Sequence, residues 1–271
     1  MYSVQKFQKI IRDYYRQNGR NLPWRRTRDP YRILVSEIML QQTQVARVEG
    51  FYEKFIKQFP DFQALGKART ADVLRAWQGL GYNRRALALQ RLAKIVVKSY
   101  DGELPKERRA LESLPGVGPY TAGAIRAFAF DEPDIFIETN IRRLFIHFFF
   151  PRRRKVKDDE IKTLLEGAIC HLPFAIRHFY YALMDYGAML GATEKKNPNR
   201  RSAHYAKQSK FTGSDRELRG KILRLILERK RIPNEELAEI FPIPKIRLAK
   251  ITDGMAKEGF ISKTGLFLSQ I

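Results

Sequence analysis

The sequence predicts an all-α protein ending in a small winged-helix-like module, and three observations predict it. Stretches such as ADVLRAWQGL (71–80) and RALALQRLAKIVVKSY (85–100) place apolar residues at three- and four-residue spacing, the period of one buried helix face. No sustained period-two alternation precedes residue 259. From Ser214 a fresh pattern of three helical stretches begins, followed by the alternating FISKTGLFLSQI. The expected organisation is a helical domain over 1–190, a basic loop or linker over 191–213, and the module over 214–271.

In chain order, MYSVQKFQKIIRDYYRQ reads as an amphipathic helix with no signal-peptide core. Turn signals rich in Gly, Pro and Asn fall at 18–23, 101–105 and 115–119, dividing the first domain into many short helices. Residues 191–211, GATEKKNPNRRSAHYAKQSKF, are polar, basic and turn-rich. SDRELRGKILRLILERK then opens with a capping signal. NEELAEIF reads as a short second helix and PKIRLAKITDGMAKEG as a third, which Gly259 stops. The final twelve residues alternate around a Lys-Thr-Gly turn and read as a hairpin. Such a module could bind DNA through its third helix, or could serve packing or dimerisation.

The chain has 271 residues, 44% of them hydrophobic, enough to bury a sizeable core. Lys and Arg number 51 against 29 Asp and Glu, a formal charge of +22. That excess points to a polyanion, nucleic acid before a membrane surface. No apolar run reaches the ~18 residues of a spanning helix, and Cys170 is the sole cysteine, which excludes a disulfide framework. The expectation is a monomeric, soluble, cytoplasmic and nucleoid-associated protein.

LPGVGPYTAGAI (114–125) joins two apolar helical stretches through a glycine-proline turn. Gly116 and Gly118 permit positive φ and close backbone approach. Pro119 suits the first turn of the next helix, whose free N–H groups can meet a phosphate. A grip of that kind is independent of base sequence. This segment closely resembles the helix-hairpin-helix of the base-excision DNA glycosylases, and within them the MutY-type adenine glycosylases. LPWRRTRDPY (22–31), SEIMLQQTQV (36–45), WQGLGYNRRA (77–86) and ALMDYGAM (182–189) resemble further motifs of that family in the same order. The resemblance covers about residues 1–190 and implies a two-lobed helical helix-hairpin-helix glycosylase fold acting on double-stranded DNA.

Severing a purine–sugar bond requires a proton for the leaving base and a carboxylate beneath the positively charged sugar. Glu37, in the apolar ILVSEIML, suits the acid role, because a carboxyl group in apolar surroundings keeps its proton. Glu138, in IFIETNIRR, suits the charge-stabilising role, with Asn140 and Tyr120 to orient the carboxylate or the sugar. Read without the resemblance, Glu37 could equally form a helix-face salt bridge and Glu138 cap a helix near Thr139. The resemblance places Trp24, Arg25, Leu40 and Tyr181 near the base pocket. It assigns Gln42 and Tyr82 to filling the gap left by an extruded base, and Gln41, Arg84, Gly116, Val117, Gly118, Tyr120, Thr121 and Arg142 to DNA. Backbone carbonyls of Leu114 and Val117 could coordinate K⁺ or Na⁺. Tyr120 stands where glycosylase-lyases of the endonuclease III type carry a Schiff-base lysine, so a monofunctional enzyme is expected.

Four departures from the family pattern stand out. Glu138 occupies the position of an aspartate. Residues 191–211 contain no cysteine, so an iron–sulfur cluster lacks its ligands; His204 alone cannot substitute, and Lys195, Lys196, Arg200 and Arg201 could touch phosphate instead. Tyr181 replaces a Glu or Gln that helps read adenine. The C-terminal module replaces the larger domain that recognises 8-oxoguanine. The expected activity is removal of adenine opposite 8-oxoguanine or guanine. A thymine or uracil glycosylase acting on G mismatches and a non-catalytic lesion-binding protein are the alternatives.

Overall fold

The computed structural model describes residues 2–170, 172, 175–206 and 210–271. Among these, the helices are α1 (Val4–Asn18), α2 (Pro30–Leu40), α3 (Val45–Gln58), α4 (Phe62–Lys67), α5 (Thr70–Trp77), α6 (Arg84–Ser99), α7 (Arg108–Glu112), α8 (Pro119–Ala129), α9 (Thr139–Phe149), α10 (Asp158–Cys170), α11 (Ile176–Thr193), α12 (Asp215–Arg229), α13 (Asn234–Ile240) and α14 (Lys245–Lys257). Strand β1 (Arg231–Pro233) precedes α13, and β2 (Ile261–Thr264) and β3 (Phe267–Gln270) close the chain. Contacts gather these elements into two units. One comprises Met1–Glu37, Lys106–Ser113 and Val117–Lys207; the other comprises Ile38–Pro105, Leu114–Gly116 and Gln208–Ile271. The division falls inside α2, directly after Glu37.

In the first unit α11 packs on α9 and α1. Its apolar stripe buries Phe179, Tyr180, Tyr181, Leu183 and Leu190, each worth roughly 1.5–3 kcal/mol as an apolar side chain withdrawn from water. Phe7 of α1 lies with its ring centroid 5.1–5.3 Å from those of Phe145, Phe148 and Phe149. Gly187 allows α11 to approach the first turn of α9. A Cβ there would fall 2.2 Å from the Asn140 carbonyl oxygen. Buried among these helices, Asp185 accepts from the Arg20 backbone N–H at 2.9 Å and from both terminal nitrogens of Arg25 at 2.8 Å. Burial raises the Asp185 carboxyl, but the Arg25 and Arg20 partners prevail and hold it below the usual range.

The second unit is built on α3 to α6. Trp77 meets Phe55 edge-on at 5.6 Å, and its indole N–H donates to the Gly81 carbonyl at 3.2 Å. The C-terminal module joins this unit through α12 on α5. The backbone N–H of Ala71 donates to the Ile271 carbonyl at 3.2 Å. Ser214 caps α12 by accepting from the Glu217 N–H, and the Glu217 carboxylate reaches back to the Gly213 N–H at 2.7 Å. This is a capping-box arrangement shifted by one residue.

The module has the three expected helices, with one strand more than expected. β1 pairs with β3 and β3 with β2, all antiparallel, in the order β1-β3-β2. Three residues are too few to show alternation, which is why β1 escapes a periodicity reading. The hairpin turn is Gly265–Leu266, since Thr264 still pairs with Phe267. Residues 191–206 are also more ordered than a linker. α11 runs on to Thr193, Pro198–Arg201 forms a 3-10 turn, and Val156 bridges to Ser202. The Asn199 side chain donates to the Thr139 carbonyl at 2.9 Å, and Arg201 donates to the carbonyls of Pro151 and Ile146.

Replacing Gly187 with alanine should force α11 away from Asn140, costing about 1–3 kcal/mol by over-packing. Gly50 of α3 has nothing within 4 Å of its would-be Cβ, so Gly50→Ala should be neutral or stabilising by up to about 1 kcal/mol. Urea denaturation of the two variants checks the contrast, and equal stabilities would contradict the close packing of α11.

Candidate active site

Glu37 lies on α2, whose sequence PYRILVSEIML is apolar on nearly every side. Its residue exposure is only 4%, so the carboxylate form loses hydration that the protein does not replace in full. Burial drives the Glu37 carboxyl up to about 7; the nearby Glu138 charge adds to that rise, while the Tyr120 hydroxyl and Arg25 pull it down. Tyr120 is the second residue of α8, directly after Pro119, and its hydroxyl donates to Glu37 Oε2 at 3.0 Å. Its ring rests edge-on against Phe136 at 5.6 Å. Burial first, then the two carboxylates, push the phenol well above its ordinary range.

Glu138 is the N-cap of α9. Its Oε1 accepts from the backbone N–H groups of Asn140 at 2.7 Å and Ile141 at 2.8 Å, satisfying donors that a helix start leaves open. Its Oε2 accepts from Asn140 Nδ2 at 3.2 Å. Asn140 Oδ1 in turn accepts from Arg143 Nη1 at 2.6 Å, and the same nitrogen donates to the Gly187 carbonyl at 2.7 Å. The capping alternative therefore holds, and it coexists with proximity to Glu37. Glu138 is also raised, by burial, but the two helix amides and the Arg143 and Arg142 charges oppose the rise.

The residues assigned to the base pocket are differently placed. Trp24, on the 3-10 turn Pro23–Arg25, is buried. Arg25 is committed to Asp185, and its guanidinium carbon lies 4.3 Å from the Tyr181 ring centroid. Tyr181 is buried and stacked on Phe128 at 4.5 Å and 13°; burial pushes its phenol up to about 12. Arg25, Tyr181 and Phe128 form a packed wall. Leu40 is half-buried at the end of α2. Asp185, which organises Arg25, was missed. Its only signal was one acid within the apolar YYALMDYGAML.

At the hairpin, Gly116 has φ 82°, a left-handed conformation that favours glycine; a Cβ there would also press on Ala88 at 3.0 Å. Gly118 differs from expectation. Its φ is −98°, and a Cβ would meet nothing within 4 Å, so its value is the open approach to its backbone rather than a special dihedral. Pro119 occupies the first helical position as expected. Leu114, Val117 and Thr121 are buried, which leaves their backbone rather than their side chains for contact. Gln41 Nε2 donates to the Gly116 carbonyl at 3.2 Å.

Gln42 (φ 55°) and Tyr82 (φ 48°) are both left-handed without being glycine, a conformation that costs energy and persists where the surroundings enforce it. The enforcing group is Arg85, which the sequence reading passed over for its neighbour Arg84. From Arg85, Nη1 donates to the carbonyls of Ile38 (2.8 Å), Met39 (2.8 Å) and Gln41 (2.5 Å), and Nη2 to Thr43 Oγ1 and the Gly81 carbonyl, both at 3.0 Å. One buried guanidinium thus ties the turn bearing Gln42 to the turn bearing Tyr82. Burial lowers its pKa to about 10, still far above neutrality. Arg84 forms a two-pronged pair with Glu258 at 2.6 and 2.7 Å, and Arg142 one with Asp158 at 2.7 Å; both arginines assigned to DNA are engaged within the protein.

Residues 35–169 match the family model described as HhH-GPD superfamily base excision DNA repair protein. The adenine DNA glycosylase of Mycolicibacterium smegmatis is 34% identical over 229 residues, covering 78% of this chain and 76% of that one. The chain belongs to the HhH-GPD superfamily of base excision DNA repair proteins. Another HhH-GPD relative, the adenine DNA glycosylase of Buchnera aphidicola subsp. Baizongia pistaciae, is 35% identical over 194 residues, 71% of this chain; the chain spans only 54% of that protein's length. A solved thermostable thymine-DNA glycosylase aligns with TM-score 0.63 and 28% identity over 74% of this chain and 93% of that one. The helical HhH-GPD fold expected from the motifs is the fold observed. No helix among the described residues is long and apolar enough to cross a membrane, and none of their His, Cys, Asp and Glu side chains form a group of three able to hold a metal.

The Glu37 carboxyl is raised from its ordinary 4.5 to about 7, so the folded state favours the protonated form. The resulting stability is complete below pH ~4.5 and lost as pH rises through ~7, on the order of 3 kcal/mol in all. Urea unfolding at pH 5 and pH 8 should therefore show wild type losing stability relative to Glu37→Gln. Carbon-13 titration should place the Glu37 midpoint near neutrality, and higher still in Tyr120→Phe, which removes a stabilising donor to the carboxylate.

Proposed function

We propose that this protein is a monofunctional mismatch-specific DNA N-glycosylase of base excision repair, which hydrolyses the bond between adenine and deoxyribose opposite 8-oxoguanine or guanine. The observation that carries the reading is the pairing of two carboxyl groups with divergent surroundings: Glu37, buried and raised to about 7, and Glu138, fastened to the start of α9. Both carboxyls are raised by burial, but Glu37 has one hydroxyl donor while Glu138 accepts from two helix amides and Asn140, the asymmetry that suits an acid acting beside a charge stabiliser.

In the proposed reaction Glu37 delivers its proton to adenine N7. The C1′–N9 bond breaks with its electron pair passing to the base, and positive charge develops on the sugar. The Glu138 carboxylate faces that charge, held in orientation by Asn140 and the helix amides. Water adds to C1′, and its proton returns to Glu37, restoring the acid. Tyr120 orients Glu37 and has no amine with which to form a Schiff base, so the product is an abasic site. The hairpin and its glycines grip phosphate through backbone, while Gln42 and Tyr82 fill the stack. Leu114 and Val117 offer carbonyl oxygens of the kind that suit K⁺ or Na⁺ at the hairpin. The sequence holds one cysteine, too few thiolates for an iron–sulfur cluster, and the reaction needs none. A formal charge of +22 supports duplex DNA as partner, with binding that weakens steeply as salt rises.

A second reading, excision of thymine or uracil opposite guanine, is favoured by the near-complete coverage of the thymine-DNA glycosylase and by Tyr181. One assay separates the two. Duplexes bearing A:8-oxoG, A:G, T:G or U:G are incubated with the protein, then heated with alkali. Cleavage of the A-containing strand only after alkali is expected, and cleavage of T:G or U:G alone would select the second reading. Glu37→Gln should slow excision by about 10²–10⁴-fold, and Glu138→Gln by on the order of a hundredfold or more. The wild-type rate should fall above pH ~7 as Glu37 loses its proton. A borohydride-trapped adduct would contradict the monofunctional assignment.

A further inference from the structure

The turn bearing Tyr82 is held from the C-terminal module as well as by Arg85. Arg216, the second residue of α12, donates from Nη1 to the Tyr82 hydroxyl oxygen at 2.6 Å. Its guanidinium carbon lies 5.2 Å from the Tyr82 ring centroid, and that of Arg85 lies 5.5 Å from the same centroid. Two cations reach one ring, within the range where guanidinium groups bind aromatic faces. The attachment is reinforced nearby. Glu258, at the end of α14, accepts from Arg84 and from Arg219 Nη2 at 2.7 Å, and its carbonyl accepts from Arg91 at 3.0 Å. Arg84 foremost, despite the opposing effect of burial, holds the Glu258 carboxyl below its usual range. The module is therefore fastened to the start of α6, immediately after Tyr82.

We propose that Arg216 is a positioning residue: it fixes the plane of the Tyr82 ring so that the ring discriminates the base opposite the extruded one, giving the C-terminal module a part in partner selection. This rests on the glycosylase reading above, in which a base leaves the stack. A flat ring inserted into a duplex gains stacking energy only if its plane is parallel to the neighbouring bases. A tyrosine side chain turns about two torsions: the bond from Arg216 to the hydroxyl holds the first, and the guanidinium groups of Arg216 and Arg85 beside the ring restrain its rotation about the second. A preset ring stacks more fully on a purine partner than on a pyrimidine, because the purine offers the larger face.

The test measures binding of the full chain by fluorescence anisotropy. Duplexes carry a tetrahydrofuran abasic site opposite guanine, 8-oxoguanine, cytosine or thymine. Wild type should favour the purine partners by about tenfold, the scale of one base–aromatic stack. Arg216→Ala should reduce that ratio to about threefold or less; the lost charge by itself weakens binding to every duplex alike and so leaves the ratio untouched. Arg216→Lys, which keeps a cation and a donor, should recover part of the ratio. Tyr82→Phe deletes only the hydroxyl and should resemble Arg216→Ala; should Arg216→Ala prove unstable, Tyr82→Phe decides. An unchanged ratio in Tyr82→Phe, or no partner preference in wild type, overturns the proposal. Excision that persists with a preference indifferent to Arg216 defeats this inference alone. Absence of excision alongside an Arg216-dependent preference defeats only the glycosylase reading.

Discussion

Desolvation of one carboxyl group is the constraint on which the rest of the first unit turns. Glu37 sits in a largely apolar helix, and withdrawing an acid from water favours its neutral form. Such a group is tolerated only if its neighbours are also fixed, because a mobile neighbour would admit water and return the acid to its ordinary range. Tyr120 is fixed by Pro119, which starts α8, and by Phe136 beneath its ring. The wall of Tyr181, Phe128 and Arg25 is fixed by Asp185. An ion pair inside a protein is weak support for stability, and here its clearer consequence is the placing of an aromatic surface.

Glu138 is governed by a different balance. Its carboxylate is bound by two backbone amides and by Asn140, and those bonds act against burial. Helix capping and charge stabilisation draw on the same property, a carboxylate whose position is set by fixed donors, which also oppose the rise that burial causes. The closeness of α11, allowed by Gly187, lets Arg143 bridge Asn140 and the Gly187 carbonyl. The orientation of Asn140 therefore depends on a glycine 47 positions later in the chain.

In the second unit the organising group is a buried cation. Arg85 satisfies carbonyls at the end of α2 and in two turns, so the left-handed conformations of Gln42 and Tyr82 are enforced together. Neither turn could relax without leaving donors of Arg85 unpaired, and an unpaired buried charge is costly. The C-terminal module adds Arg216 and Glu258 to the same neighbourhood.

The sequence by itself determined the helical class, the hairpin and the module's three helices, and its resemblance to a family singled out Glu37, Tyr120, Glu138 and Asn140 as candidates. Periodicity, glycine-proline punctuation and apolar flanks are local signals, and each of these features is local. Tertiary structure alone decided which polar groups would find partners. Arg25, Arg84 and Arg142 look like free cations in the sequence, yet each meets an acid distant in the chain: Asp185, Glu258 and Asp158. Arg85 was indistinguishable from Arg84 until folding turned one side chain inward and left the other on the surface. β1 became a strand only because β3 lay beside it. The physical reason is common to all of them: burial and pairing are properties of what arrives from elsewhere in the chain, and a local pattern of residues carries no record of it.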